Sequence, residues 1–177
     1  MTCIVGLEKE GKVWIGGDTA GVAGLAIETR RDVKVFTNGE FIMGFTSSFR
    51  MGQLLRYGFD PPERSQKTED DMEYLVIDVI DGIRELFKEK GYMGKDDERE
   101  DGGTWLMGYR GRLYTVHDDF QVGSVEGGYA ACGCGEEFAL GSLHTSANFE
   151  MTVDQRIKMA LDAAAWHSAG VRPPYTI

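Results

Sequence analysis

A chain whose first residues already form a hairpin has its start fixed inside a sheet, and this sequence opens that way. Ile4, Val5 and Leu7 make one apolar run, and Val13, Trp14 and Ile15 make another. Between them, Glu8-Lys9-Glu10-Gly11-Lys12 reads as a polar turn in which Gly11 is free to take a positive φ. Chain termini are usually loose. A hairpin here instead holds Thr2, directly behind the initiator Met, beside a strand. Methionine ahead of a small residue such as threonine is generally a good substrate for removal. Removal exposes a threonine carrying a hydroxyl and a free α-amine on one residue, a known route to an activated nucleophile with the amine as general base. An α-amine titrates at about 7.7–8.0, so a large share of it is neutral at physiological pH.

Downstream, Thr19 to Asp32 reads as a loop or irregular strand returning the chain to the sheet. A strand starts at Lys34-Val35-Phe36, Asn38-Gly39 is a strong two-residue hairpin signal, and Phe41 to Phe45 pairs back. Met51, Leu54 and Leu55 lie at helical spacing, and Pro61-Pro62 stops that helix. The clearest helical pattern runs from Thr68, with Met72, Leu75, Val76, Val79, Ile80, Ile83, Leu86 and Phe87 at three- and four-residue steps. Thr68 and Asp71 resemble its capping pair. Residues 94–103 read as a charged, glycine-bounded loop. Strands are expected over Thr104–Tyr109, Leu113–Val116, Phe120–Val125 and Tyr129–Cys132. A helix follows from Glu136 to about His144, and Thr152-Val153-Asp154-Gln155 caps a last one. Strands, two helices, strands, two helices is the pattern of a layered α+β domain.

The 177 residues suffice to bury a sizeable core and read most simply as one domain, 1–177. The formal charge of −10, from 29 acidic and 19 basic residues, disfavours nucleic acid or an anionic membrane surface as a partner. No apolar run reaches the roughly 18 residues of a membrane-spanning helix. The start has no basic stretch followed by an apolar one, so a cytoplasmic location is expected rather than secretion. Three cysteines, two of them in Cys132-Gly133-Cys134, form no disulfide framework and fit a reducing compartment. With His117, His144 and His167 they miss the zinc spacings, and no metal or other cofactor is expected.

Several segments, taken together and in order, resemble one known family. They are Thr2, Gly16-Gly17-Asp18, Lys34-Val35, Ile42-Met43-Gly44-Phe45-Thr46-Ser47, Cys132-Gly133-Cys134-Gly135 and Ala160-Leu161-Asp162. The chain resembles the proteasome β-subunit family of N-terminal-nucleophile (Ntn) hydrolases, most of all the bacterial HslV-type peptidases. The likeness runs over nearly the whole length, and the spacing of Thr2, Asp18 and Lys34 fits without a gap. The resemblance implies a four-layer αββα sandwich, two antiparallel sheets flanked by helices. It implies a threonine endopeptidase working inside a homo-oligomeric ring of six or seven subunits, possibly stacked, on unfolded protein or peptide, with an ATPase unfoldase as a candidate partner.

By the same resemblance Thr2 is the nucleophile, and Lys34 lowers the pKa values of its hydroxyl and amine. Asp18 supplies the counter-charge that a buried lysine needs. Backbone N–H groups of Gly44 to Ser47 would hold the oxyanion. Gly44 also fits a bulge or crossing point in a strand. Where the family carries a serine in a Gly-Ser-Gly turn, this chain has Gly133-Cys134-Gly135, and a thiol is a weaker hydrogen-bonding partner. Near the end Ser168 matches the family, Ala165 stands at its aspartate position, and His167 is either a replacement base or a helix-end histidine. Two rival readings are a non-catalytic structural ring subunit, which a retained Met1 and Cys134 favour, and an Ntn amidase acting on a small amide.

Overall fold

The computed structural model describes residues 1–65, 68, 70–96 and 99–177. The opening hairpin forms as its pattern requires. Strands β1 (Cys3–Lys9) and β2 (Lys12–Asp18) pair antiparallel about a turn in which Glu10 and Gly11 take φ of 51° and 70°. Two positive φ values give the mirror-image turn whose twist matches that of the flanking strands. Successive residues of β1 face opposite ways. Cys3, Val5 and Leu7 pack toward one helical layer and Ile4 toward a second sheet, all of them buried. Burying side chains such as Ile4, Val5 and Leu7 is worth about 1.5–3 kcal/mol each. Ordering their backbone costs roughly 1–2 kcal/mol per residue. The chain's start is therefore held.

Hairpin β3–β4 (Ala20–Ala23, Ala26–Thr29) follows, then β5 (Val35–Asn38) and β6 (Phe41–Phe45) joined through Gly39 at φ 58°. Helix α1 (Phe49–Tyr57) is capped by Ser48. Helix α2 runs through an α-helical turn Asp71–Glu73, a π-helical stretch Tyr74–Val79 and a regular stretch Ile80–Glu89. Hairpin β7–β8 (Gly94–Asp96, Arg99–Asp101) leads to β9 (Trp105–Tyr109), β10 (Arg112–Val116), β11 (Val122–Ser124) and β12 (Tyr129–Gly133). Helices α3 (Glu136–Ser146) and α4 (Val153–His167) precede a short β13 (Tyr175–Thr176).

One sheet has the order β12-β1-β2-β13 and the other β11-β10-β9-β6-β5. Helices α1 and α2 cover the second sheet through a cluster that includes Phe45, Leu55, Ile83, Phe87 and Met107. Helices α3 and α4 cover the first through Val5, Leu7, Leu143, Ile157 and Leu161. Ile4, Ile15, Val35, Leu106 and Leu113 fill the layer between the sheets. The architecture is a mixed α+β, four-layer αββα sandwich. The middle layer is thin because glycines line it. A Cβ on Gly44 would stand 2.6 Å from Ile4 Cγ2 and 2.7 Å from Ile15 Cγ2, and one on Gly6 would stand 2.8 Å from Leu113 Cδ1. Among the described residues no helix is long and apolar enough to cross a membrane.

Several local expectations shift. Helix α2 starts at Asp71, capped by Asp70, whose carboxylate accepts from Met72 N at 3.1 Å, and not at Thr68. A short acidic side chain one residue before the helix satisfies its first free amides directly. The π-helical stretch then breaks the three- and four-residue rhythm and leaves Val76 and Ile77 facing outward. Residues 94–101, expected as loop, include hairpin β7–β8, and the Thr19–Asp32 stretch contains hairpin β3–β4. The cap of the last helix is a full capping box: Gln155 N donates to Thr152 Oγ1 at 3.2 Å, and Thr152 N donates to Gln155 Oε1 at 2.9 Å.

Candidate active site

Both sheets end at one side of the sandwich, and the candidate residues sit at those ends. Thr2 lies just before β1, Asp18 ends β2, Lys34 lies just before β5, and Gly133 closes β12. Thr2, Asp18 and Lys34 are all buried, at 3 %, 1 % and 2 % exposure. A buried ammonium must spend each of its three N–H donors on an acceptor. Lys34 Nζ donates to Thr2 Oγ1, to Asp18 Oδ1 at 2.9 Å and to the Ala20 carbonyl at 2.6 Å. Asp18 is held in turn by backbone amides, Cys3 N on Oδ1 at 3.0 Å and Ala20 N on Oδ2 at 3.1 Å. The carboxylate therefore ties the starts of β1 and β3 to the lysine.

Burial pushes the Lys34 amine below its ordinary value, and the neighbouring Asp18 carboxylate opposes that shift. The Thr2 hydroxyl accepts from this one ammonium, and a positive charge beside it favours its deprotonated form. The Cys3 thiol, on the adjoining residue, is pushed up to about 12, chiefly by burial and further by Asp18. It is an inert neighbour.

On the backbone side of Thr2 lies the Gly133-Cys134 turn. Gly133 has φ of 101°, and a Cβ there would come within 2.3 Å of the Thr2 carbonyl oxygen. Only glycine passes this close. Cys134 Sγ donates to the Thr2 carbonyl at 3.4 Å, and Ser168 Oγ donates to Cys134 Sγ at 3.3 Å. Met1 packs in the same place: a Cβ on Gly170 would meet Met1 Cβ at 2.5 Å and Cys134 Sγ at 2.6 Å. Ala165 packs against the apolar cluster under α4. His167 stacks on Phe138 with ring centroids 5.0 Å apart, on the helical layer.

Gly44 is an interior residue of β6, paired with Val35 on one side and Leu106 on the other, so its backbone belongs to the sheet. The chain turns only after β6. Phe45 N donates to the Lys34 carbonyl, Thr46 N to the Thr104 carbonyl and Ser48 N to the Thr46 carbonyl. Among the described residues no acceptor is found for the Ser47 N–H between them. Ser47 holds a φ of 65°, rare for a residue with a side chain, and its Oγ accepts from Thr104 N at 3.1 Å. It lines a cavity with Thr2 and Lys34. Local sequence carries no signal for this conformation beyond the position of Ser47 after the strand. Among the described residues no group of three or more His, Cys, Asp or Glu side chains is placed to hold a metal ion.

No protein-family model matches the sequence, and no curated protein matches it. Solved structures match over nearly its whole length. BPH from Thiobacillus denitrificans, solved in complex with epoxomicin, superposes with a TM-score of 0.84 at 18 % identity, covering 99 % of this chain and 96 % of that one. HslV from Trypanosoma brucei gives 0.69 at 15 % identity, covering 99 % and 97 %. The fold is that of the proteasome-like Ntn hydrolases. Anbu, the ancestral β-subunit from Yersinia bercovieri, shares it at 0.66 and 15 % identity, covering 98 % of this chain and 79 % of that chain. In this Ntn-hydrolase fold the ends of β1, β2 and β12 and the start of β5 converge on Thr2.

Proposed function

We propose that the chain is a threonine peptidase of the proteasome and HslV kind. Met1 is removed, the Thr2 hydroxyl attacks a peptide carbonyl, and its α-amine takes the proton and passes it to the leaving amine. Water, deprotonated by the same amine, then releases the acyl group. The observation that carries this reading is the buried chain from Thr2 Oγ1 through Lys34 Nζ to Asp18 Oδ1. A lysine and an aspartate with their charged ends out of water are costly to keep. Here they converge on one hydroxyl at the second residue of the chain. Lys34 favours the alkoxide and Asp18 positions Lys34.

For the oxyanion, the Ser47 N–H is the better donor than Gly44, because it has no acceptor among the described residues and borders the cavity beside Thr2. A donor fixed before the reaction costs no reorganisation during it. Cys134 and Ser168 flank the place of the future α-amine and would steady it. On this reading residues 1–177 form a single domain that assembles into a homo-oligomeric ring, works in the cytoplasm on unfolded protein or peptide, and receives it from an ATPase unfoldase.

A second reading, a non-catalytic ring subunit, draws on the fit of Met1 against Gly170 and Cys134. Intact mass before and after incubation with a β-lactone separates the two. Loss of Met1 and a single adduct on Thr2, absent in Lys34→Ala, supports the peptidase. A mass that keeps Met1 and takes no adduct refutes it.

A further inference from the structure

We propose that the site accepts a small, uncharged side chain on the residue preceding the cleaved bond, and excludes aromatic and charged ones. This rests on the reading of Thr2 as nucleophile. With Met1 in place, a cavity of about 80 Å³ opens beside Thr2 and Lys34, walled by Met1, Val22, Phe45, Thr46, Ser48 and Phe49. A cavity of about 150 Å³ accommodates benzene, and one water occupies about 30 Å³ in the liquid. With Met1 in place the cavity therefore has room for roughly two or three heavy atoms, and once Met1 leaves, the Phe45 and Phe49 wall is what limits the depth open to a side chain.

Its far wall is stiff. Phe49, the first residue of α1, meets Phe45 edge-on with centroids 5.8 Å apart. The Arg30 guanidinium lies 4.0 Å from the Phe49 centroid and is tied to Asp32 at 2.8 Å. Lys34 Nζ stands 5.7 Å from the same ring. Swinging Phe49 aside to admit a larger group would break these contacts together. The cavity also offers no spare charge, because Arg30 is matched by Asp32 and Lys34 by Asp18. Loss of Met1 widens the mouth toward Gly170 and Cys134 and leaves the wall of Phe45 and Phe49 in place.

The test uses the full chain with Met1 removed, in the oligomer it forms. It is reacted with tripeptide vinyl sulfones that differ only in the residue next to the sulfone: Ala, Val, Phe, Arg or Glu. Thr2 Oγ adds to the vinyl carbon and its proton passes to the adjacent carbon, so labelling is read as the mass of an adduct on Thr2. A misfit of a methylene or more in an apolar pocket costs about 10–200-fold in rate. The Ala and Val probes are expected to label at least about tenfold faster than Phe, Arg or Glu. Phe49→Ala should raise the Phe probe to the rate of the Ala probe, with Phe49→Leu between. Labelling of both variants by the Ala probe shows that they fold. Equal rates for Ala and Phe in the wild type, or an unchanged ratio in a Phe49→Ala protein that still labels, overturns the proposal. So does labelling by a β-lactone with none by any peptide probe. Failure of the β-lactone itself to label Thr2 overturns the nucleophile reading beneath it.

Discussion

Replacing Asp18 with Asn keeps the shape of the side chain and removes its charge. The carboxylate accepts from Cys3 N, Ala20 N and Lys34 Nζ, all within 3.1 Å. Asn offers one acceptor oxygen and an NH₂ group, so at least one of those donors must face another donor. The larger cost is that Lys34, 2 % exposed, keeps its charge without a counter-ion. Removing one partner of a buried ion pair costs about 3–5 kcal/mol. For a chain of this size 1 kcal/mol moves Tm by roughly 2–4 °C, so Asp18→Asn is expected to lower Tm by about 6–20 °C. Asp18→Asn combined with Lys34→Met buries no charge at all and should be more stable than Asp18→Asn alone. Urea unfolding followed by tryptophan fluorescence, run on both singles and the double, gives the coupling directly. If the losses of the two singles simply add in the double, the pair is not energetically coupled and the argument fails.

The same lysine sets a pH dependence. Its folded value lies below the ordinary 10.5, so between the two the unfolded chain binds more protons and stability rises with pH. Wild type should therefore gain urea stability relative to Lys34→Met as pH approaches 10.5, and a flat difference contradicts the sign. Brief iodoacetamide treatment at about pH 8 should modify the exposed Cys134 alone, because burial pushes the Cys3 thiol to about 12 and raises Cys132 well above its usual range; peptide mapping that finds label on Cys3 counts against the buried placement. Gly133→Ala drives a Cβ into the Thr2 carbonyl. It should cut β-lactone labelling more than tenfold for a stability loss of about 1–3 kcal/mol. Thr152→Ala removes the capping box of α4. It should cost about 1 kcal/mol, with labelling of Thr2 unchanged.

What the sequence made legible depended on distance along the chain. The opening hairpin and the Thr152 cap are specified within a few residues, and each forms; the hairpin signalled at Asn38-Gly39 forms one residue on, with Asn38 paired to Phe41 and Gly39-Glu40 making the turn. Thr2, Asp18 and Lys34 meet because each lies at the end of a strand whose pattern is plain. Ser47 shows the limit. Its left-handed backbone is fixed by Thr104, 57 residues away, and nothing local announces it. Gly44 is expected beside the oxyanion; in the structure it pairs regularly with Val35 and Leu106 inside β6, and the atoms closest to where its Cβ would stand belong to Ile4 and Ile15 of the other sheet. The Thr19–Asp32 stretch reads only as a loop or irregular strand, and not as hairpin β3–β4, because its glycine- and alanine-rich sequence shows no apolar alternation; every residue of β4 is exposed. The clasp of Arg30 on Phe49 joins an exit from that hairpin to the start of α1, and no periodicity encodes such a pairing.

The thinness of the layer between the sheets also bears on how such a chain can vary. Each glycine there faces bulk on the opposite sheet: Gly44 faces Ile4 and Ile15, and Gly6 faces Leu113. Total volume in a packed layer is the conserved quantity, more than the identity of any one residue. A homologue with alanine or valine at position 44 should therefore carry a smaller side chain at position 4 or 15, with the bulk traded across the gap. Drift at these positions is expected to occur in matched pairs, and the strand spacing that brings Lys34 to Thr2 would survive it.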